Sequence, residues 1–390
     1  MIKKLLYGII IITFLPLILF LVWFLTPETK LIAVIVDKST LTNAGQEHIS
    51  LNWVLNHERF TNNKDQSYQV SSDYYGFFPL DDEKFNISGL EQFSSDKLKE
   101  LSKNSDLFYI TDTYGIYYND WYRQKDKMKQ SKMLYGGLSA NDVQMAGLMK
   151  EQKKLIIAEF NTIGSPTAEE ERKKFEEIFH FKWTGWTVKH FESLDTTANG
   201  DLPHWLINNY KKQNNNQWPF KKAGVIFVHS DESLVILEDS THLSNPMPQI
   251  LSNQEGRTKL ELPENVKYPF WFDIITFDEN VNKSAADFKI STNQKGLSEL
   301  KKHGIPATFP AITYHDEDDY QFYYFSGDFC DNPISLNTSY FKGIGNFKWL
   351  FYDSRNPMER ASFFWNFYRP MMTNILIKYT QNRISAKRSH

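Results

Sequence analysis

The stretch from Tyr135 to Thr167 constrains the fold more than any other part of the chain. Gly136 and Gly137 make a loop. Ser139 or Asn141 can cap a helix whose apolar positions include Val143, Met145, Leu148 and Met149. Leu155-Ile156-Ile157-Ala158 is a short apolar strand that ends in Glu159-Phe160-Asn161. Ser165-Pro166-Thr167 opens a second helix, with Thr167 and Glu170 at the spacing of a capping box. Helix, strand and helix in such close order belong to an α/β sheet. In such sheets ligands sit beyond the carboxyl ends of the strands.

Two earlier segments have the same form. Leu31 to Val36 is an apolar strand ending in Asp37-Lys38-Ser39. Leu107 to Ile110 is another, ending in Thr111-Asp112-Thr113-Tyr114-Gly115. Asp37, Asp112 and Glu159 are therefore expected on one sheet edge, either as catalytic candidates or as plain acceptors for helix caps and backbone amides. Lys38, Tyr114, Tyr117, Gly136, Gly137 and Asn161 belong to the same strand ends and are candidates for ligand binding. Trp183-Thr184-Gly185-Trp186 with Lys189 and His190 follows the second helix. It reads either as a pocket wall, which makes Trp183, Trp186 and His190 further candidates, or as a plug at the rim. From residue 224 onward short strands dominate, beginning with a hairpin across His229-Ser230-Asp231-Glu232. Gln321 to Phe325 is a late strand leading to Asp328, the last binding candidate.

The expected fold class is α/β, with a mostly parallel central sheet, flanking helices, and added antiparallel strands in the second half. One N-terminal transmembrane helix precedes it. Residues 31–222 form the α/β core, 223–335 a β-rich extension with a return strand to the core, and 336–390 an aromatic helix with a basic tail.

Leu5 to Leu25 is apolar and uncharged, and a spanning helix needs about 20 such residues. Lys3 and Lys4 precede it, and no small-x-small cleavage pattern follows it. The run reads as an uncleaved signal anchor, with a cleaved signal peptide as its competitor. Residues 1–4 are then a cytoplasmic tip, and the domain lies outside the cytoplasmic (inner) membrane, to which a single pass holds it.

The net charge of −3 argues against a nucleic-acid surface, which needs concentrated Lys and Arg. Aromatic residues make up 15% of the chain, enough for a large aromatic core and also for an aromatic-lined groove. The single cysteine, Cys330, excludes an internal disulfide. His48 and His57 lack the i, i+4 spacing of a helical zinc pair, and the acidic run His315 to Asp319 lacks the Gly and distal Glu of a calcium loop. No phosphate-binding Gly-rich loop ending in Lys-Ser/Thr is present, and neither metal nor cofactor is expected.

The Gly136-Gly137 loop, the following helix and the strand ending in a turn before a helix resemble the class I glutamine amidotransferase-like fold. Tyr323-Tyr324-Phe325-Ser326-Gly327-Asp328 is similar to the last strand of degenerate members, such as the corresponding domains of certain glycosidases. The resemblance covers roughly residues 31 to 195 and the Tyr320–Asn332 stretch. It implies a cysteine nucleophile at the turn after the strand. Here that turn reads Ile157-Ala158-Glu159-Phe160-Asn161-Thr162, with no cysteine or serine, and Cys330 lies in another segment. A thiolate mechanism needs Cys and His within reach of each other, so glutamine hydrolysis is not expected. The expected function is a non-catalytic domain that binds a glycan or a partner protein at the cell envelope. The competing readings are a glycan hydrolase using two carboxylates, and an interaction module of an envelope assembly that uses the aromatic C-terminal helix.

Overall fold

The computed structural model describes residues 2–122, 131–197, 200–356 and 358–388; the side chains of residues 2–13 and 387–388 lie outside that description. A ten-stranded mixed sheet runs through the domain beside a four-stranded one. Its parallel centre consists of β1 (Ala33–Asp37), β2 (Tyr75–Pro79), β3 (Leu107–Asp112), β4 (Leu155–Glu159) and β5 (Gln321–Phe325), in the spatial order β5-β4-β3-β1-β2. The late strand β5 is thus an integral neighbour of β4, with Phe325 opposite Glu159.

The expectation of a mostly parallel sheet holds only for this centre. Thr308–Asp316, Lys283–Lys289, Gln249–Ser252 and Asn265–Lys267 extend it antiparallel beyond β5, and Phe85–Ser88 closes the other edge. The hairpin strands Gly224–His229 and Leu234–Glu238 join Phe181–Phe191 and Phe272–Phe277 in the four-stranded sheet, where all pairs are antiparallel.

The central strands are continuous apolar runs because both faces are covered. Ile35, Tyr109, Ile157 and Tyr323 face one core, and Val36, Ile110, Ala158 and Tyr324 face the other. The first core takes in helix α2 (Ile49–His57) and the C-terminal segment. The second takes in α3 (Ala140–Glu151) and α4 (Glu169–Phe179). Ser139 caps α3 in a box with Asp142. The box expected at Thr167 is not formed: α4 starts at Glu169, and the Thr167 hydroxyl instead donates to the Thr162 carbonyl and accepts from the Leu138 amide.

After Arg360–Phe363 comes a single wide π turn, Phe364–Tyr368, and then α5 (Arg369–Arg388). The wide turn precedes Pro370, which has no N–H for the helical ladder. Trp365, Tyr368, Met372 and Leu376 are buried against the sheet, so the aromatic face of this segment is part of the core and offers no outer patch.

At the other end of the chain, α1 spans Ile2–Leu25 with Pro16 inside. No helix among the described residues is long and apolar enough to cross a membrane. The first half of the Leu5–Leu25 run has its side chains outside that description.

Candidate functional site

Strands β1 and β3 deliver two acids side by side. A bulge after Val36 sets Asp37 directly opposite Asp112. Asp37 is fully buried and its oxygens are taken: Oδ1 accepts from the Ser39 amide at 3.0 Å, and Oδ2 lies 2.5 Å from both Thr40 Oγ1 and His48 Nδ1. The other ring nitrogen of His48 bonds the Val70 carbonyl at 2.7 Å, so this histidine is a buried strut. Asp112 accepts from the Tyr114 amide at 2.6 Å, and burial, with Asp328 and Asp37 nearby, raises its carboxyl well above the usual range.

Glu159 does not join them at the edge. It is fully buried beneath the loop after β5, where its Oε2 accepts from the amides of Phe329 and Cys330, each at 2.9 Å. Its Oε1 shares a short hydrogen bond with the Tyr109 hydroxyl, and burial holds the carboxyl well above the ordinary carboxylate range. A carboxyl in this setting is a fastener between β4 and the loop.

Other acids complete the edge. Glu47 lies just before α2, half-buried, and Asp328 and Asp331 follow β5. Burial first, then the charges of Asp37, Asp331 and Asp112, push Glu47 up to about 9. Asp331 is pushed up to about 6, chiefly by burial and by Asp328, against the opposing pull of Arg360. Arg360 spans the two aspartates: Nη1 donates to Asp331 at 2.8 Å, and Nη2 donates to the Asp328 carboxylate at 2.9 Å and to its carbonyl at 2.7 Å. Gln46 donates to the other oxygen of Asp331 at 2.6 Å. Of this group only Asp328 was named from sequence. Glu47, Asp331 and Arg360 carry no local signal, although Asp331, beyond a strand end, was within reach of the same rule that marked Asp328.

The glycine loop supports the edge from one side. The Gly137 amide donates to the Thr113 carbonyl at 2.7 Å. Gly136 crosses so close to Gly115 that a Cβ there would lie 2.6 Å from the Gly115 Cα. Lys38, a binding candidate by sequence, is buried and occupied: its ammonium donates to Asp142 at 2.6 Å and to the Gly137 carbonyl at 3.0 Å. Beyond this loop Tyr114 is exposed by 47%, and its ring lies 5.2 Å from that of Tyr117. An exposed ring backed by the half-buried Tyr117 therefore stands next to Asp112.

The remaining candidates fall elsewhere. Asn161 occupies the turn after β4 with a left-handed backbone, φ 66°, and its carbonyl accepts from Thr113 Oγ1 at 2.8 Å. Cys330 is buried, with Tyr368 donating to its sulfur at 3.2 Å, and burial pushes its thiol well up. Trp183 and Trp186 face the interior, and Trp183 Nε1 donates to the Trp186 carbonyl at 3.0 Å. The Thr-Gly pair between them is a bulge against Phe272–Phe277, with Gly185 at φ 89°. These tryptophans are the rim plug, and no pocket wall is made from them. His190 is buried beside them on the same strand, its ring pushed down to about 4 by burial.

Among the described residues no three His, Cys, Asp or Glu side chains come together so as to hold a metal. A cavity of about 50 Å³ opens at the opposite edge of the sheet, lined by residues such as Glu255, Tyr314, Gln321 and Tyr379.

No protein-family model matches the sequence, and no curated protein matches it either. Solved structures overlap it partially. A ThuA-like protein from Parabacteroides merdae is 10% identical with a TM-score of 0.35, over 77% of this chain and 79% of that one. A ThuA-like protein from Bacteroides uniformis is 11% identical with a TM-score of 0.32, over 85% and 96%. A β-galactosidase from Bacillus circulans sp. alkalophilus is 9% identical with a TM-score of 0.29, over 65% of this chain; the chain spans 24% of that enzyme's length. Overlaps of this size assign neither a family nor an activity.

Proposed function

We propose that this protein is a membrane-anchored, extracytoplasmic binding protein that holds a glycan at the carboxyl edge of its parallel strands without turning it over. The observation that carries this reading is the exposed Tyr114 ring, set near the half-buried Tyr117, beside an acid edge whose buried members are already occupied. Aromatic faces cover the apolar faces of sugar rings, and a few polar groups fix their hydroxyls. Asp112, Glu47 and Gln46 supply such groups, while Asp37 and Glu159 spend their oxygens on the fold. The apolar N-terminal helix supplies the anchor, with the N-terminus in the cytoplasm.

A second reading, a glycan hydrolase, is favoured by one observation. Glu47 is pushed up to about 9 next to Asp37 and Asp112, and a carboxyl kept neutral at physiological pH is equipped to act as a general acid.

The test is a thermal-shift screen of cell-wall and polysaccharide fragments on the full chain in detergent micelles. Saturable stabilisation by one glycan class is expected, lost in Tyr114→Ala and kept in Glu159→Gln, with no product by mass spectrometry. Product formation that disappears in Glu47→Gln overturns the binding reading in favour of the hydrolase.

A further inference from the structure

The last turns of α1 lie along the domain. The Trp23 ring meets Tyr340 edge-on at 4.9 Å, Phe20 lies 6.4 Å from Phe341, and the Lys342 amide donates to the Leu19 carbonyl at 3.1 Å. Trp23 is buried by this contact, its Nε1 donating to the Asn56 carbonyl at 2.9 Å and Arg59 lying over its ring. The outward side chains of the same turns, among them Ile18, Leu21 and Leu25, are exposed.

From Gly343 the chain continues into a short 3₁₀ segment, Ile344–Leu350. That segment ends in Trp349, 65% exposed, and Leu350, 60% exposed. An α-helix rises 1.5 Å per residue, so the contact at Leu19 lies about 9 Å along the axis before Leu25. Residues 340–343 therefore run back alongside the apolar helix. The exposed Trp349 and Leu350 follow six and seven residues after Gly343, which meets Leu19 of α1. Tyr340, Lys348 and Trp349 are residue types that collect at a membrane–water boundary, while Lys342 is held by Glu58 at 2.6 Å.

We propose that residues 340–350 form a second membrane contact, a collar after α1 that seats the domain on the bilayer with Trp349 and Leu350 in the headgroup–acyl boundary. The proposal rests on the anchor reading of α1, and its test separates the two. The full chain is reconstituted into phosphatidylethanolamine–phosphatidylglycerol vesicles and labelled with an environment-sensitive fluorophore at Leu350→Cys or, separately, at Phe14→Cys. The unsubstituted chain, whose Cys330 is buried, is the labelling blank.

The expected result is blue-shifted emission at both positions, with the Leu350→Cys label quenched by nitroxides near the headgroups and the Phe14→Cys label by nitroxides deeper in the chains. Lipid quenching at position 14 with water-like emission at position 350 overturns the collar and leaves the anchor standing. Water-like emission at both overturns the two together. A blue shift at position 350 that no lipid nitroxide quenches shows a protein cover, such as a second copy of this chain, and overturns the collar as well.

Discussion

The amide of Cys330 donates a 2.9 Å hydrogen bond to Oε2 of Glu159, tying the loop after β5 to the end of β4. The Phe329 amide donates to the same oxygen. On the far side the chain of hydroxyls Glu159–Tyr109–Tyr368 ends at the Cys330 sulfur. The Tyr109 hydroxyl donates to Oε1 and the two amides to Oε2, so both oxygens are engaged, and burial raises the carboxyl well above the ordinary range.

A glutamine keeps an oxygen for the two amides and can turn its amide nitrogen to the Tyr109 hydroxyl, and an alanine does neither. Glu159→Gln is expected to stay within about 1 kcal/mol of the parent. Glu159→Ala strands two buried amides, each costing about 1–3 kcal/mol. Denaturant unfolding of the two variants checks this, and equal losses in both would mean that the fold needs the carboxylate charge.

Lys38 and Asp142 form a buried ion pair at 2.6 Å. Removing one partner leaves an uncompensated buried charge, so Lys38→Met is expected to lose about 3–5 kcal/mol. Lys38→Met with Asp142→Asn is expected to regain much of that, because asparagine keeps an oxygen for the Ser139 cap. A double variant no more stable than Lys38→Met shows that the loss comes from packing.

The two loop glycines differ in what they tolerate. At Gly136, φ 152°, a methyl group meets the Gly115 backbone at 2.6 Å, whereas at Gly137, φ 79°, its nearest neighbour is 3.5 Å away. Gly137→Ala is expected to cost about 1–2 kcal/mol from its left-handed backbone alone. Gly136→Ala should cost more and displace the Tyr114–Gly115 turn, weakening glycan binding as well as stability. Melting temperatures and binding curves of the pair distinguish the two effects.

Glu47 makes stability depend on pH. Its folded value, about 9, lies above the ordinary 4.5, so the folded state holds a proton that the unfolded chain releases. The associated stability is complete below pH 4.5 and is lost as pH rises toward 9. Glu47→Gln is expected to flatten the stability profile across that window in urea titrations. An unchanged slope would place the proton on another member of the cluster, Asp112 or Asp331.

The strands that carry the site were legible because their signals are local. Continuous apolar runs such as Ile35 and Val36 or Ile156 and Ile157 are what two covered faces require. Asp37 and Asp112 were placed at strand ends by the same local reading, and the bulge that shifts the register after Val36 sets them side by side. The Trp183–Trp186 pair was ambiguous because the strands that cover it, Gly224–His229 and Phe272–Phe277, come far later in the chain.

The amino-acid sequence by itself determined the alternation of helix and strand in the first half, the strand-end acids, the absent nucleophile and the apolar N-terminal run. Each depends on side chains within a few residues of one another, where periodicity and backbone preference act directly. Only the tertiary structure decided that Glu159 turns inward, that Lys38 is locked to Asp142, and that Glu47, Asp331 and Arg360 complete the edge. Those outcomes depend on burial and on partners outside the local stretch, 104 residues away for Lys38 and Asp142 and 171 for Glu159 and Cys330. A carboxyl's desolvation and its hydrogen-bond donors exist only once β4 and β5 lie side by side.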